Sequence, residues 1–102
     1  MIIEIDKRVN KLIDKLNEQD QARVLEYLDL FRKYGFSLSQ KDLKKISKNI
    51  WELRPDRWRI FLLKIKPNAV AIHLMHKQSQ KITIKTMKII NQRSKEYGLW
   101  KK

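Results

Sequence analysis

In Ile50-Trp51-Glu52-Leu53-Arg54-Pro55-Asp56-Arg57-Trp58-Arg59-Ile60-Phe61-Leu62-Leu63-Lys64-Ile65, two runs of β-branched and aromatic residues flank a proline-containing turn. Ile50–Arg54 and Trp58–Ile65 therefore read as strands. The connection Arg54-Pro55-Asp56-Arg57 is too short for a crossover, so the strands pair as an antiparallel hairpin with Pro55 expected at i+1. Lys66-Pro67-Asn68-Ala69 repeats the pattern, with Pro67 at i+1, and Val70–Lys77 follows as a third strand. Both prolines fall outside the ladder. The expectation is an antiparallel meander of three strands, or four, within residues 49–77.

Upstream the apolar period changes. Val9, Leu12, Ile13 and Leu16 form one helical stripe, and Val24, Tyr27, Leu28, Phe31 and Tyr34 form another. A helical hairpin over residues 1–35 follows, broken around 17–20, where Asn17 or Asp20 can cap the second helix. Gly35 stands where a C′ glycine ends a helix, with Phe36 positioned to touch Phe31. Ser39-Gln40-Lys41-Asp42 resembles a capping box for one further helical turn through Leu43 and Ile46. Downstream, residues 83–97 return to helix, with Met87, Ile90 and Tyr97 on one stripe and Gly98 as the stop. The class is α+β, in one domain spanning residues 1–102.

The chain is 102 residues long and 42% hydrophobic, enough for one small core. It has no cysteine, which excludes disulfides, thiolate metal sites and cysteine nucleophiles. Two histidines with few acids near them do not make a metal site, so neither metal nor cofactor is expected. Met1 to Asn10 alternates charged and apolar residues, unlike a signal peptide. The apolar run Ile60–Leu63 is far shorter than the ~20 residues of a membrane span. No membrane partner and a cytoplasmic location are expected.

Charge is distributed unevenly. Residues 1–52 carry 11 Lys/Arg against 9 Asp/Glu, whereas residues 53–102 carry 13 against 2. Almost all of the net +13 thus lies in the C-terminal half, the electrostatic footprint of a phosphate-rich partner. A solvated basic face, or an acidic protein partner, is the plainer alternative.

Strand alternation puts Glu52 and Arg54 on one face and makes Arg59 the single charge in an apolar run. Arg59 has two compatible readings: an ion pair with Glu52 on the neighbouring strand, or a guanidinium fork held rigidly to grip phosphate. Arg57 reads as a solvated turn residue. His73 and His76 are three apart and point to opposite faces of a regular strand, a poor spacing for joint metal ligation. Lys77, Lys81, Lys85 and Lys88 follow without an intervening acid, and on a helix the last three share a face.

Three blocks together resemble a known family. Leu43-Lys44-Lys45-Ile46 with Ile50–Phe61 is similar to the ELR…YRI/V-Y core of the RelE/ParE toxin superfamily, most of all its phage-derived, HigB-like branch. Ile72–Thr83 is similar to that branch's LLHGF-x-KKTQKTP segment, although Leu74 and Met75 replace its glycine and aromatic. Ile90-Asn91-Gln92-Arg93…Glu96-Tyr97 resembles its A-x-x-R…EY helix. The resemblance covers roughly residues 20–97. It implies a RelE-like fold and the toxin of a type II toxin–antitoxin pair, an endoribonuclease that cuts mRNA in the ribosome without a metal. It also implies a HigA-like, helix-turn-helix antitoxin that neutralises the toxin and links it to operator DNA.

RNA cleavage needs no external nucleophile, because the 2′-hydroxyl attacks the adjacent phosphate. It needs cations for the charge on the phosphoryl oxygens and groups that move two protons. Arg54 and Arg59 suit the first task. His76 has a suitable ordinary pKa for the second, and Lys77 serves only if its pKa is lowered. Glu52 serves as an orienter or as a base, and Trp58 or Trp100 can stack on a base. The expected catalytic set is Arg54, Arg59, His76 and Lys77, with Lys45, Arg57, Lys81, Lys85, Lys88 and Arg93 contacting RNA. Two rivals remain at this level: a ParE-like inhibitor of DNA gyrase that acts by contact, and a basic RNA-binding module without turnover.

Overall fold

Each N-terminal helix starts at a side-chain cap. A computed structural model describes residues 1–77 and 82–100, the side chains of residues 99 and 100 excepted. Helix α1 (Lys7–Asp14) is capped by Asp6, whose carboxylate accepts from Arg8 N. Helix α2 (Glu18–Tyr34) is capped by Asn17, which accepts from Asp20 N, so Asn17 rather than Asp20 opens it. Gly35 ends α2 at φ 59°, a conformation that favours glycine, and a 3₁₀ turn (Gly35–Ser37) follows. The Phe31 and Phe36 rings meet edge to face, 5.1 Å apart.

The hairpin core of the sheet forms as expected: β3 (Ile50–Leu53), β4 (Trp58–Ile65) and β5 (Asn68–His76) are consecutive antiparallel neighbours. Two further strands extend it to five in the order β1-β5-β4-β3-β2. Strand β1 (Ile3–Ile5) runs parallel to β5, so the sheet is mixed rather than a pure meander. Its three residues are too few to carry a period. Strand β2 (Leu43–Ser47) replaces the expected helical turn. Ser39 O does accept from Asp42 N and Leu43 N, closing one turn. An isolated turn of helix is poorly nucleated, whereas the open edge of β3 offers a ladder to the backbone from Leu43 onward.

Both turns are also offset by one residue. Trp58 N donates to Pro55 O, so Pro55 opens the β3–β4 turn at position i and Asp56 occupies i+1 at φ 54°. In the β4–β5 turn Ile65 pairs with Asn68, placing Pro67 at i+2 behind a cis Lys66–Pro67 bond. Helix α3 (Ile84–Trp100) begins where Thr83 Oγ1 accepts from Thr86 N, and it continues through Gly98 instead of stopping there.

The layers are helix, sheet, helix. The α1/α2 face of the sheet buries Leu53, Ile60, Leu62, Ala71 and Leu74 against Val9, Val24, Leu28 and Phe31. The opposite face buries Ile50, Phe61, Leu63, Val70 and Ile72 beneath Ile90 of α3. A bulge shifts the β4–β5 register between Phe61/His73 and Leu62/Ala71. It changes the phase of β5, so that Ala71 and Leu74, three apart, face the same core.

Candidate functional site

The α3 face is apolar over its centre and becomes polar toward the β3–β4 turn. There Glu52 and Arg54, two apart in sequence, point the same way, and Arg54 Nε donates to Glu52 Oε1 at 2.8 Å. Glu52 is 5% exposed, so this carboxylate is a buried anchor that fixes the plane of the guanidinium.

Arg59 follows on β4, but it does not pair with Glu52. The register sets Glu52 opposite Phe61 and Arg59 opposite Met75, and Arg54 has taken the carboxylate. Arg59 Nη1 instead donates to the carbonyls of Asp56 (2.8 Å) and Trp58 (2.7 Å). Burial and the nearby Arg54 charge pull its pKa down, against the pull of Glu52. Among the described residues this partly desolvated cation has no carboxylate in ion-pair contact, an arrangement found where an anion is to be received.

Arg54 and Arg59 line one recess at this end of the sheet, together with Arg23, Tyr27, Lys41, Asp42 and Asp56. Tyr27 Oη donates to Asp42 Oδ1, and Arg54 N donates to Asp42 O, which ties α2 and the start of β2 to the site. Arg23 grips Asp56 with two nitrogens, at 2.9 and 3.2 Å. Tyr27 belongs to the α2 stripe and packs against the core as well as lining this recess, whereas nothing in the stripe marks Arg23. The available signal was their spacing of four, which stacks both on one face of α2, with the Arg23 guanidinium over the Tyr27 ring.

The expected catalytic residues divide between two faces. By alternation Arg54, Arg59 and Lys77 start from the α3 face, but the recess the two arginines line is walled by Arg23 and Tyr27 of α2 and does not take in Lys77. Lys77 N donates to Arg57 O and continues the β4–β5 pairing by one residue. His76 stands opposite Trp58 on the α1/α2 face, its ring 5.1 Å from the indole and nearly perpendicular. It lines a second recess with Gln19, Asp20, Arg23, Asp56, Arg57 and Trp58. The arginines and His76 are therefore not brought together around one point.

The expected RNA contacts scatter more widely. Arg57 is exposed at the turn, and Lys85 and Lys88 are exposed on α3. Lys81 lies outside the described residues, as does the Trp100 side chain. Lys45 is on β2 at the α1/α2 face, its ammonium 5.8 Å from the Trp51 ring centre. Arg93 is turned inward: its Nη1 donates to Ile72 O (2.8 Å) and approaches His73 Nδ1 (3.3 Å), pinning α3 to β5.

That contact settles the His73 tautomer. A guanidinium only donates, so Nδ1 accepts and the proton sits on Nε2. Burial and the Arg93 charge lower the His73 pKa from 6.5 to about 4. Between those values the unfolded chain binds more protons than the folded one, so stability is full above 6.5 and declines as pH falls toward 4. The loss is on the order of 1–2 kcal/mol, allowing for partial solvent screening of the ring. Urea titrations across this range should show the decline in the wild type and a flat response in His73→Gln, whose amide oxygen still accepts from Arg93.

Comparison with known proteins bears on this geometry. Residues 11–95 match the family described as "Phage derived protein Gp49-like (DUF891)". Among solved structures, a chain of the archaeal RelE–RelB complex from Pyrococcus horikoshii superposes with a TM-score of 0.65 at 17% identity, covering 74% of this chain and 93% of that one. The likeness establishes a RelE-like fold. No curated protein matches the sequence.

Proposed function

The chain belongs to the Gp49-like family of phage-derived proteins, a RelE-type toxin family, and on that footing we propose that it is a metal-independent mRNA endoribonuclease acting at the ribosome. It is the toxin of a type II pair, silenced by a HigA-like, helix-turn-helix antitoxin through which alone it reaches operator DNA. The relative found in a RelE–RelB complex supports a protein antitoxin.

One observation carries the catalytic reading: two guanidiniums line one recess, Arg54 anchored by buried Glu52 and Arg59 by two carbonyls. Both are fixed before substrate arrives, and among the described residues neither uses all of its N–H groups. The 2′-hydroxyl gives up its proton to solvent water as its oxygen bonds to phosphorus, and negative charge gathers on the phosphoryl oxygens, where pre-oriented donors lower the barrier most. The bond to the 5′-oxygen then breaks, and Lys77, on the same sheet face, is the side chain proposed to protonate it. Glu52 acts as a positioning residue for Arg54.

The test is induction in cells and addition to a cell-free translation system, with primer extension on the mRNA. Arrest with discrete cuts inside translated codons is expected, and cutting of free RNA, where it occurs, should persist in EDTA. Arrest with intact mRNA and blocked DNA supercoiling would instead identify a gyrase inhibitor.

A further inference from the structure

The second recess has a different chemistry from the first. Around Arg54 and Arg59, four cations (Arg23, Lys41, Arg54, Arg59) face two carboxylates (Asp42, Asp56). Around His76, two guanidiniums (Arg23, Arg57) are balanced by two carboxylates (Asp20, Asp56), and two aromatic rings contribute to the wall. A site of this kind has no excess charge for a phosphate. It has flat π-surfaces for stacking, and at its rim Gln19 and the carboxylates can accept from exocyclic amino groups.

The two recesses are contiguous. Arg23 and Asp56 line both, and their bidentate ion pair forms the partition. A ligand with a phosphate on one side of that partition and a planar, neutral, hydrogen-bonding ring on the other matches the pair. His76 is exposed, and its ring meets Trp58 edge-on, so a face of the imidazole can be covered by a third ring without disturbing the indole packed against the core.

We propose that the recess of Trp58, His76 and Arg57 binds an unstacked RNA base adjoining the phosphate held by Arg54 and Arg59, with His76 as the stacking platform. The proposal rests on the ribonuclease reading and gives His76 a binding role, separate from proton transfer.

The probe is a short, fluorescently labelled 2′-O-methyl RNA, which cannot be cut, compared with an abasic backbone of the same length and charge. Wild type should bind the base-bearing oligomer about 5- to 100-fold more tightly, the range of one stacked base. His76→Ala should lose most of that preference, and His76→Phe, which keeps an aromatic face without a titrating proton, should retain it. Equal binding of the two oligomers by wild type overturns the proposal. So does an undiminished preference in His76→Ala, or a loss in His76→Phe as large as in His76→Ala. Arg59→Ala separates the two readings, since it should weaken both oligomers alike. If wild type prefers bases but Arg59→Ala changes nothing, the phosphate assignment fails and the base site stands. If wild type binds neither oligomer at low salt, both fail.

Discussion

Arg59→Lys is expected to abolish translation arrest while leaving the protein folded. The guanidinium is partly desolvated and held by two backbone carbonyls, with no carboxylate in ion-pair contact among the described residues. Its removal relieves a desolvation cost as it breaks those bonds, so stability should change by no more than about 1 kcal/mol. Activity should respond very differently. Loss of one pre-oriented donor to a developing oxyanion typically lowers turnover by about 10²–10³-fold. Lysine keeps the charge but not the planar fork, so Arg59→Lys should be nearly as inactive as Arg59→Ala. Thermal melts alongside translation assays measure both quantities on the same preparations. A lysine variant that arrests translation at full strength would refute the bidentate role.

The largest effect on stability is expected where β1 hands over to α1, on the β1 edge of the sheet. Asp6 is 6% exposed and receives Arg8 N, Arg8 Nε and Nη2, and Tyr97 Oη, while Arg8 reaches on to Glu96. One carboxylate thus caps α1 and fastens it to α3. The bonds from Arg8 hold the Asp6 pKa well below the usual carboxylate range, and burial and Asp6 together raise the Tyr97 hydroxyl to about 12. Asp6→Ala removes the cap and the charge-assisted bonds and should cost about 2–4 kcal/mol. For a chain of this size that is a fall in Tm of roughly 10–25 °C. The pH signature is distinct from that of His73. Because the folded-state pKa is depressed, the contribution of Asp6 is complete above pH 4 and is lost as pH falls through the folded value. Asp6→Asn should flatten the acid limb below pH 4 and leave the decline between 6.5 and 4 intact. An alanine variant as stable as wild type at pH 7 would show that the network contributes nothing.

The sequence was most legible where a pattern repeated. Three strands and three helices announce themselves because β-branched runs and helical stripes extend over several residues, as in Trp58–Ile65, which is read without error. Strand β1 has no repeat to display, being three residues whose identity as a strand comes from the parallel edge of β5. Strand β2 carries a cap-like segment whose local preference is overridden by the free edge of β3. At the site, the shared face of Glu52 and Arg54 follows from alternation alone. The partner of Arg59 does not, because it depends on register, and a one-residue offset in the turn at Pro55 and Asp56 decides which side chains meet. Arg23 and Tyr27 were hidden for a different reason. A helix stripe states which residues share a face, but not which strand end that face will meet.

The measurement that bears most directly on the proposed chemistry is the mass of the fragment ends produced from an mRNA by the wild-type protein, with Arg54→Ala and Arg59→Ala as controls. Attack by the neighbouring 2′-hydroxyl leaves a 2′,3′-cyclic or 3′-phosphate on one fragment and a 5′-hydroxyl on the other, and both arginine variants should yield intact RNA. Fragments carrying a 5′-phosphate would mean that water was the nucleophile, and the proposed role of Arg54 and Arg59 in charge stabilisation during 2′-hydroxyl attack would be contradicted.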